Sequence, residues 1–104
     1  MTAKVETSAE GESMRIIVSG EIDLANAAAV DDELRAAISH QPAAVSVDLT
    51  DLSYMDSAGI RILFALASRL QALRIVLELI VPLDSPTRRL IELSGFESIA
   101  TIRP

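Results

Sequence analysis

Apolar and polar residues change their spacing several times along the chain, and each change marks an element. Residues Val5 to Gly20 read as a β-hairpin: Met14-Arg15-Ile16-Ile17-Val18 is compact and β-branched, and the turn-like Glu10-Gly11-Glu12-Ser13 precedes it. Ala27, Val30, Leu34, Ala37 and Ile38 then fall on one helical face, with Asp31, Asp32 and Arg35 on the other. Gln41-Pro42 ends that helix, because proline cannot continue it. Val45-Ser46-Val47-Asp48-Leu49 alternates as a strand does, and Asp51 to Asp56 reads as a polar connection broken by Leu52, Tyr54 and Met55. A second helix is expected from about Ser57 to Gln71. At ~100° per residue, Gly59, Ile60, Leu63, Leu66, Ala67 and Leu70 share one side, opposite Arg61, Ala65, Ser68 and Arg69. Ile62 and Phe64 fall on the flanks of that helix and are expected to be partly exposed. Arg74 to Val81 reads as a buried strand. Ser85-Pro86 should open a third helix, with Ser85 as cap and Pro86 at the first helical position, where its missing N–H has no role. Gly95 suits the left-handed end of that helix, and Ile99 to Ile102 is a short last strand. The order β-β-α-β-α-β-α-β implies one α/β domain, a mixed sheet with parallel pairs, and helices on at least one face.

Composition narrows the functional classes. The 104 residues are 50% hydrophobic and only 3% aromatic, which suits one domain with one core. Without cysteine there is no disulfide framework, zinc finger, Fe–S cluster or thiol nucleophile, and a single His leaves no His-pair metal motif. Nine Lys and Arg against fifteen Asp and Glu give a net charge of −6. That balance is the reverse of the basic footprint that nucleic acid requires. The first fifteen residues carry Lys4, Glu6, Glu10, Glu12 and Arg15 and read without a signal peptide. The richest apolar stretches, Ile62 to Ala67 and Ile75 to Val81, fall far short of the ~20 residues of a membrane span. A soluble, cytoplasmic domain is expected.

Few residues offer chemistry. The glycines at 11, 20, 59 and 95 are too scattered for a phosphate-cradling loop. His40, past the first helix, reads as an exposed helix-end residue, and as a triad member only if the fold brings a Ser and an Asp to it. Asp48, Asp51 and Asp56 lie at or after a strand end, where α/β sheets carry their sites, and could form a weak Mg²⁺ site. Asp56-Ser57-Ala58-Gly59 joins that region to the second helix. One reading is helix capping by Asp56 or Ser57. The other is an exposed serine on a helix N-terminus, where a phosphate would meet the positive end of the dipole and unpaired N–H groups.

Three stretches resemble the bacterial anti-sigma factor antagonists, which have the STAS fold. They are Gly20-Glu21-Ile22-Asp23, then Val47 through Ile60, then Arg88-Arg89-Leu90-Ile91-Glu92-Leu93-Ser94-Gly95-Phe96, in the family's order and spacing. The resemblance implies a mixed sheet of four or five strands with helices mainly on one side. It implies no enzyme activity and no cofactor. It implies partner switching: the unphosphorylated protein binds an anti-sigma factor that is also a serine kinase and so frees a sigma factor. Phosphorylation of Ser57 releases the partner, and a phosphatase resets the protein. Asp23 and Asp56 would belong to the docking surface, with Ala58 and Gly59 of the same motif. Arg61 and Arg69 would give polar contacts to the partner, and Ile62 and Phe64 apolar ones. The chain departs from the family at Ala58, where Ser is frequent, and at Ala72-Leu73-Arg74, where a glycine turn is usual. As read to Pro104 it also lacks a last helix, and a monomer or weak homodimer is expected.

Two other classes compete. One is a STAS domain regulating a membrane anion or lipid transport complex. The other is a small enzyme or nucleotide binder working through carboxylates such as Asp48 and Asp56.

Overall fold

A tight turn at Gly11 and Glu12 folds β1 (Ala3–Glu10) back onto β2 (Ser13–Ile22) in the computed structural model, which describes residues 2–104. The chain continues through α1 (Ala27–Ala37), β3 (Ala44–Asp48), β4 (Leu52–Met55), α2 (Ser57–Ala72), β5 (Val76–Ile80), α3 (Arg88–Leu93) and β6 (Thr101–Arg103). The sheet runs β1-β2-β3-β5-β6, with β4 paired to the end of β2. Only the β1–β2 pair is antiparallel among the described strands. Strands β2, β3, β5 and β6 therefore follow one another in a single direction across the sheet. Right-handed crossovers between parallel strands then deliver the intervening helices to the same face.

Alternation along the strands matches this one-sided cover. Ile16 and Val18, Val45 and Val47, and Leu77 and Leu79 are buried in the core with Val30, Leu34, Leu63, Leu66 and Leu70 of the helices. The intervening positions turn to the uncovered face and mix polar residues, Arg15, Ser46, Asp48 and Glu78, with apolar ones, Ile17, Val76 and Ile80. Arg15 pairs with Asp48 there, and Glu78 forms an ion pair with Arg103 at 2.8 Å and accepts from the Ser46 hydroxyl at 3.5 Å.

Four details differ from the sequence expectation. First, residues 52–55 are a strand, so the sheet has six strands rather than four or five. The pairing shifts register between Gly20 and Glu21. Gly20 has φ 90, and a Cβ there would lie 2.4 Å from the Thr2 carbonyl oxygen, so glycine is required at this irregularity. Second, Ile62 is buried rather than partly exposed, because the buried arc of α2 runs from Ala58, Gly59 and Ile62 round to Leu70. Phe64 is half-buried and meets the buried Phe96 edge-on, with ring centres 5.0 Å apart. Third, α3 begins at Arg88, two residues after Pro86. Ser85 spends its hydroxyl on a local turn, accepting from the Thr87 N–H at 3.2 Å, instead of capping the helix. Fourth, Phe96–Ser98 forms a short 3-10 turn and β6 begins only at Thr101. Gly95, at φ 79, makes the expected left-handed turn between α3 and that 3-10 turn.

Candidate functional site

Parallel strands bring their C-terminal ends to one edge of the sheet, and the loops after β2, β4 and β5 gather there. Ser57 is the first residue of α2 at this edge and is exposed. Its neighbour Asp56 caps the helix. One oxygen, Oδ1, accepts from the N–H groups of Ala58 at 2.8 Å and Gly59 at 3.4 Å. The other, Oδ2, accepts from the Leu24 N–H at 3.3 Å, which ties the loop after β2 to the start of α2. The Asp56 carbonyl accepts from Gly59 and Ile60. The N–H groups of Ala58, Gly59 and Ile60 are thus already engaged, as the capping reading expects and as the reading of unpaired groups waiting for a phosphate does not.

The loop from Asp23 to Asn26 is held by its own polar groups. Asp23 Oδ1 accepts from the N–H groups of Ala25 at 3.0 Å and Asn26 at 3.2 Å. Asn26 answers by accepting from the Asp23 N–H at 2.9 Å and donating to the Glu21 carbonyl at 2.8 Å. These reciprocal bonds present Leu24 to solvent at 77% exposure. Asp23, Leu24, Ala25, Tyr54 and Asp56 line an open hollow of about 460 Å³ beside Ser57.

Not every residue singled out in the sequence reaches this surface. Arg61 is exposed, one turn beyond Ser57. Ala58, Gly59 and Ile62 are buried, so their side of the helix faces the core and not a partner. Gly59 is packed so closely that a Cβ would lie 2.2 Å from Met55 Cγ. Phe64 serves the packing against Phe96. Arg69 bonds Asp31 of α1 at 2.8 Å and holds the two helices together instead of offering a polar contact outward.

Asp48, Asp51 and Asp56 do not converge, and no group of three His, Cys, Asp or Glu among the described residues could hold a metal ion. Burial pushes the Asp48 carboxyl up, but bonds from the Thr50 hydroxyl and N–H, together with Arg15, outweigh it and hold the group below the usual carboxylate range. Asp48 thus braces the turn after β3. His40 is exposed at the opposite edge, in a hollow shared with Gly11, Glu12, Met14 and Pro42, so it cannot form a triad with Ser57.

Sequence reasoning overlooked Leu24, Tyr54 and Leu83. All three are large apolar side chains near this edge, 77%, 43% and 71% exposed. Leu24 and Leu83 had one signal available: they stand in connections, outside any helical or strand period.

The family model for the Mlab, STAS domain matches residues 5–103. The anti-sigma-F factor antagonist RsfB of Mycobacterium tuberculosis is 32% identical over 81 residues, which are 77% of this chain and 64% of that protein. The chain therefore spans less than two thirds of the length of the curated relatives it matches. The crystal structure of an anti-sigma factor antagonist from Mycobacterium paratuberculosis superposes with a TM-score of 0.89 at 25% identity, covering 99% of this chain and 86% of that one. The anti-sigma factor antagonist SpoIIAA in its unphosphorylated form gives 0.72 at 22% identity, covering 99% and 88%. Bacillus SpoIIAA in the phosphorylated form gives 0.65 at 21%, covering 99% and 92%. The likeness to SpoIIAA is one of fold. No helix among the described residues is long and apolar enough to cross a membrane.

Proposed function

The chain belongs to the STAS-domain family, and from that premise we propose that it is an anti-sigma factor antagonist acting in the cytoplasm by partner switching. Unphosphorylated, it binds an anti-sigma factor that is also a serine kinase and so releases a sigma factor. The kinase then transfers the γ-phosphoryl group of ATP to Ser57. A bond forms between Ser57 Oγ and the γ-phosphorus, the bond to ADP breaks, and the hydroxyl proton goes to a base on the kinase. The phosphorylated form lets go, and a phosphatase restores the serine. The protein is a substrate and a binding module, not an enzyme. The names of RsfB and of the Mycobacterium paratuberculosis structure favour this reading over a subunit of a membrane transport complex.

One observation carries the proposal: Ser57 is exposed at the first turn of α2, while its neighbour Asp56 secures that turn from the other side. A kinase can reach the hydroxyl without unfolding the helix. Asp23, Asp56 and Arg61 form the polar part of the docking surface, with Leu24 and Tyr54 as its apolar part. A phosphate adds about −1.5 to −2 charge beside Asp56. Inside a packed interface that charge must be paired or left desolvated. A loss of ~3 kcal/mol would weaken the complex by ~100-fold.

The test is incubation with kinase-type anti-sigma factors and ATP, read by mass spectrometry and by binding. One phosphate on Ser57, none on Ser57→Ala, and a weakened complex for the phosphoform are expected. Binding that ignores the phosphate would refute the switch.

A further inference from the structure

We infer that Arg61 is the side chain that receives the phosphate on Ser57, so that phosphorylation also withdraws Arg61 from the partner. The inference rests on the reading of Ser57 as the phosphoacceptor and adds what the phosphate does once attached. A helix N-terminus ordinarily greets an anion with free N–H groups. Here Asp56 has taken those of Ala58 and Gly59 with its carboxylate, and those of Gly59 and Ile60 with its carbonyl. The acids nearest in the fold, Asp56 on the same turn and Asp23 in the loop it holds through Leu24, repel a phosphate. The Tyr54 phenol beside them brings no cation.

Arg61 stands four residues on, the spacing at which two side chains meet on one helix face. Both Ser57 and Arg61 are exposed. Arg61 is also uncommitted. Lys4, Arg15, Arg35, Arg69, Arg88 and Arg103 each have a carboxylate within 4.0 Å, whereas Arg61, like Arg74 and Arg89 elsewhere in the chain, has none among the described residues. The planar guanidinium matches phosphate oxygens two at a time, which a lysine cannot do. The phosphoform therefore differs from the free serine in two ways at once: it carries new negative charge at residue 57, and it no longer offers a free cation at residue 61.

The experiment places phosphoserine at position 57 during synthesis, so that no kinase is involved and failure to find a kinase would not affect the result. The second ionisation of the phosphate is followed by ³¹P NMR titration. Removing the cation in Arg61→Gln should raise that pKa by about half a unit, given an ion pair of this spacing strengthened by a doubly charged partner. Arg61→Lys should restore part of the shift. Arg74→Gln, beyond the far end of α2, should leave it unchanged. A titration identical in the wild type and Arg61→Gln would overturn the inference, as would an equal shift in Arg74→Gln. All three side chains are exposed, so folding is not at stake.

Discussion

Replacing Asp56 by Ala removes three hydrogen bonds at once, those from Ala58, Gly59 and Leu24. The bond from Ala58, at 2.8 Å, is the strongest by geometry, and the other two are long. Loss of a side-chain cap costs about 1 kcal/mol, and loss of the negative charge at the helix N-terminus about another 0.5 kcal/mol. The sum of ~1.5 kcal/mol should lower the melting temperature by about 6–12 °C in a domain of this size. Asp56→Asn separates the contributions. Its carboxamide oxygen can still cap Ala58, but its nitrogen cannot accept from Leu24 and the charge is gone, so about 0.5 kcal/mol is expected. Urea denaturation provides the measurement, with a shifted midpoint and an unchanged slope. Hydrogen exchange should quicken at Ala58 and Leu24 in the Ala variant, and at Leu24 alone in the Asn variant. If Asp56→Ala lies within about 0.5 kcal/mol of wild type, the range of an ordinary surface change, or if Asn behaves as Ala does, the capping account is wrong.

Phe96→Ala should cost about 3–5 kcal/mol, because the ring is fully buried and supports Phe64 edge-on; thermal melting that shifts by only a few degrees would contradict this packing. Asp48 has a depressed pKa in the folded chain, so its stabilisation is present above the unfolded value of about 3.9 and is lost as pH falls through the folded value. Asp48→Ala should therefore be destabilised by about 2 kcal/mol at neutral pH, and the gap from wild type should close in denaturation series run into the acid range. Leu24→Asp should leave stability within about 0.5 kcal/mol, since the side chain is 77% exposed. The same change should weaken the proposed complex with an anti-sigma factor at least tenfold in titration calorimetry.

The hairpin, α1, β3, α2 and β5 were legible because each shows a sustained period or a clear stop. The capping role of Asp56 was also legible, from a carboxylate immediately before an apolar helical run. Residues 52–55 were not. Their burial runs buried, exposed, exposed, buried, from Leu52 to Met55, because they pair with β2 across a register shift. A template of period two does not fit that pattern. Ile62 was misplaced for a different reason. It sits three residues after Gly59 and four before Leu66, and α2 is covered both by the sheet and by α1, to which Arg69 on the same flank is bonded, so its buried arc is wider than a single stripe. The loop around Leu24 could not be read either. Its shape depends on reciprocal bonds between Asp23 and Asn26 and on a tether from Asp56, 32 positions away in sequence from Leu24.

The double use of Asp56 has a consequence for how such a protein can diverge. One carboxylate both holds the helix and lines the hollow, so under the proposed function a change there would alter recognition and stability together. Leu24 and Leu83 do the opposite: they stand out in solvent, and the fold gains little from their identity. A cell that keeps several copies of this fold with different partners can vary those two positions freely, whereas Asp56 is a point where selection for folding constrains selection for specificity. Under the proposed function, cross-talk between such copies would then be set by exposed apolar side chains such as Leu24 on a shared acidic frame.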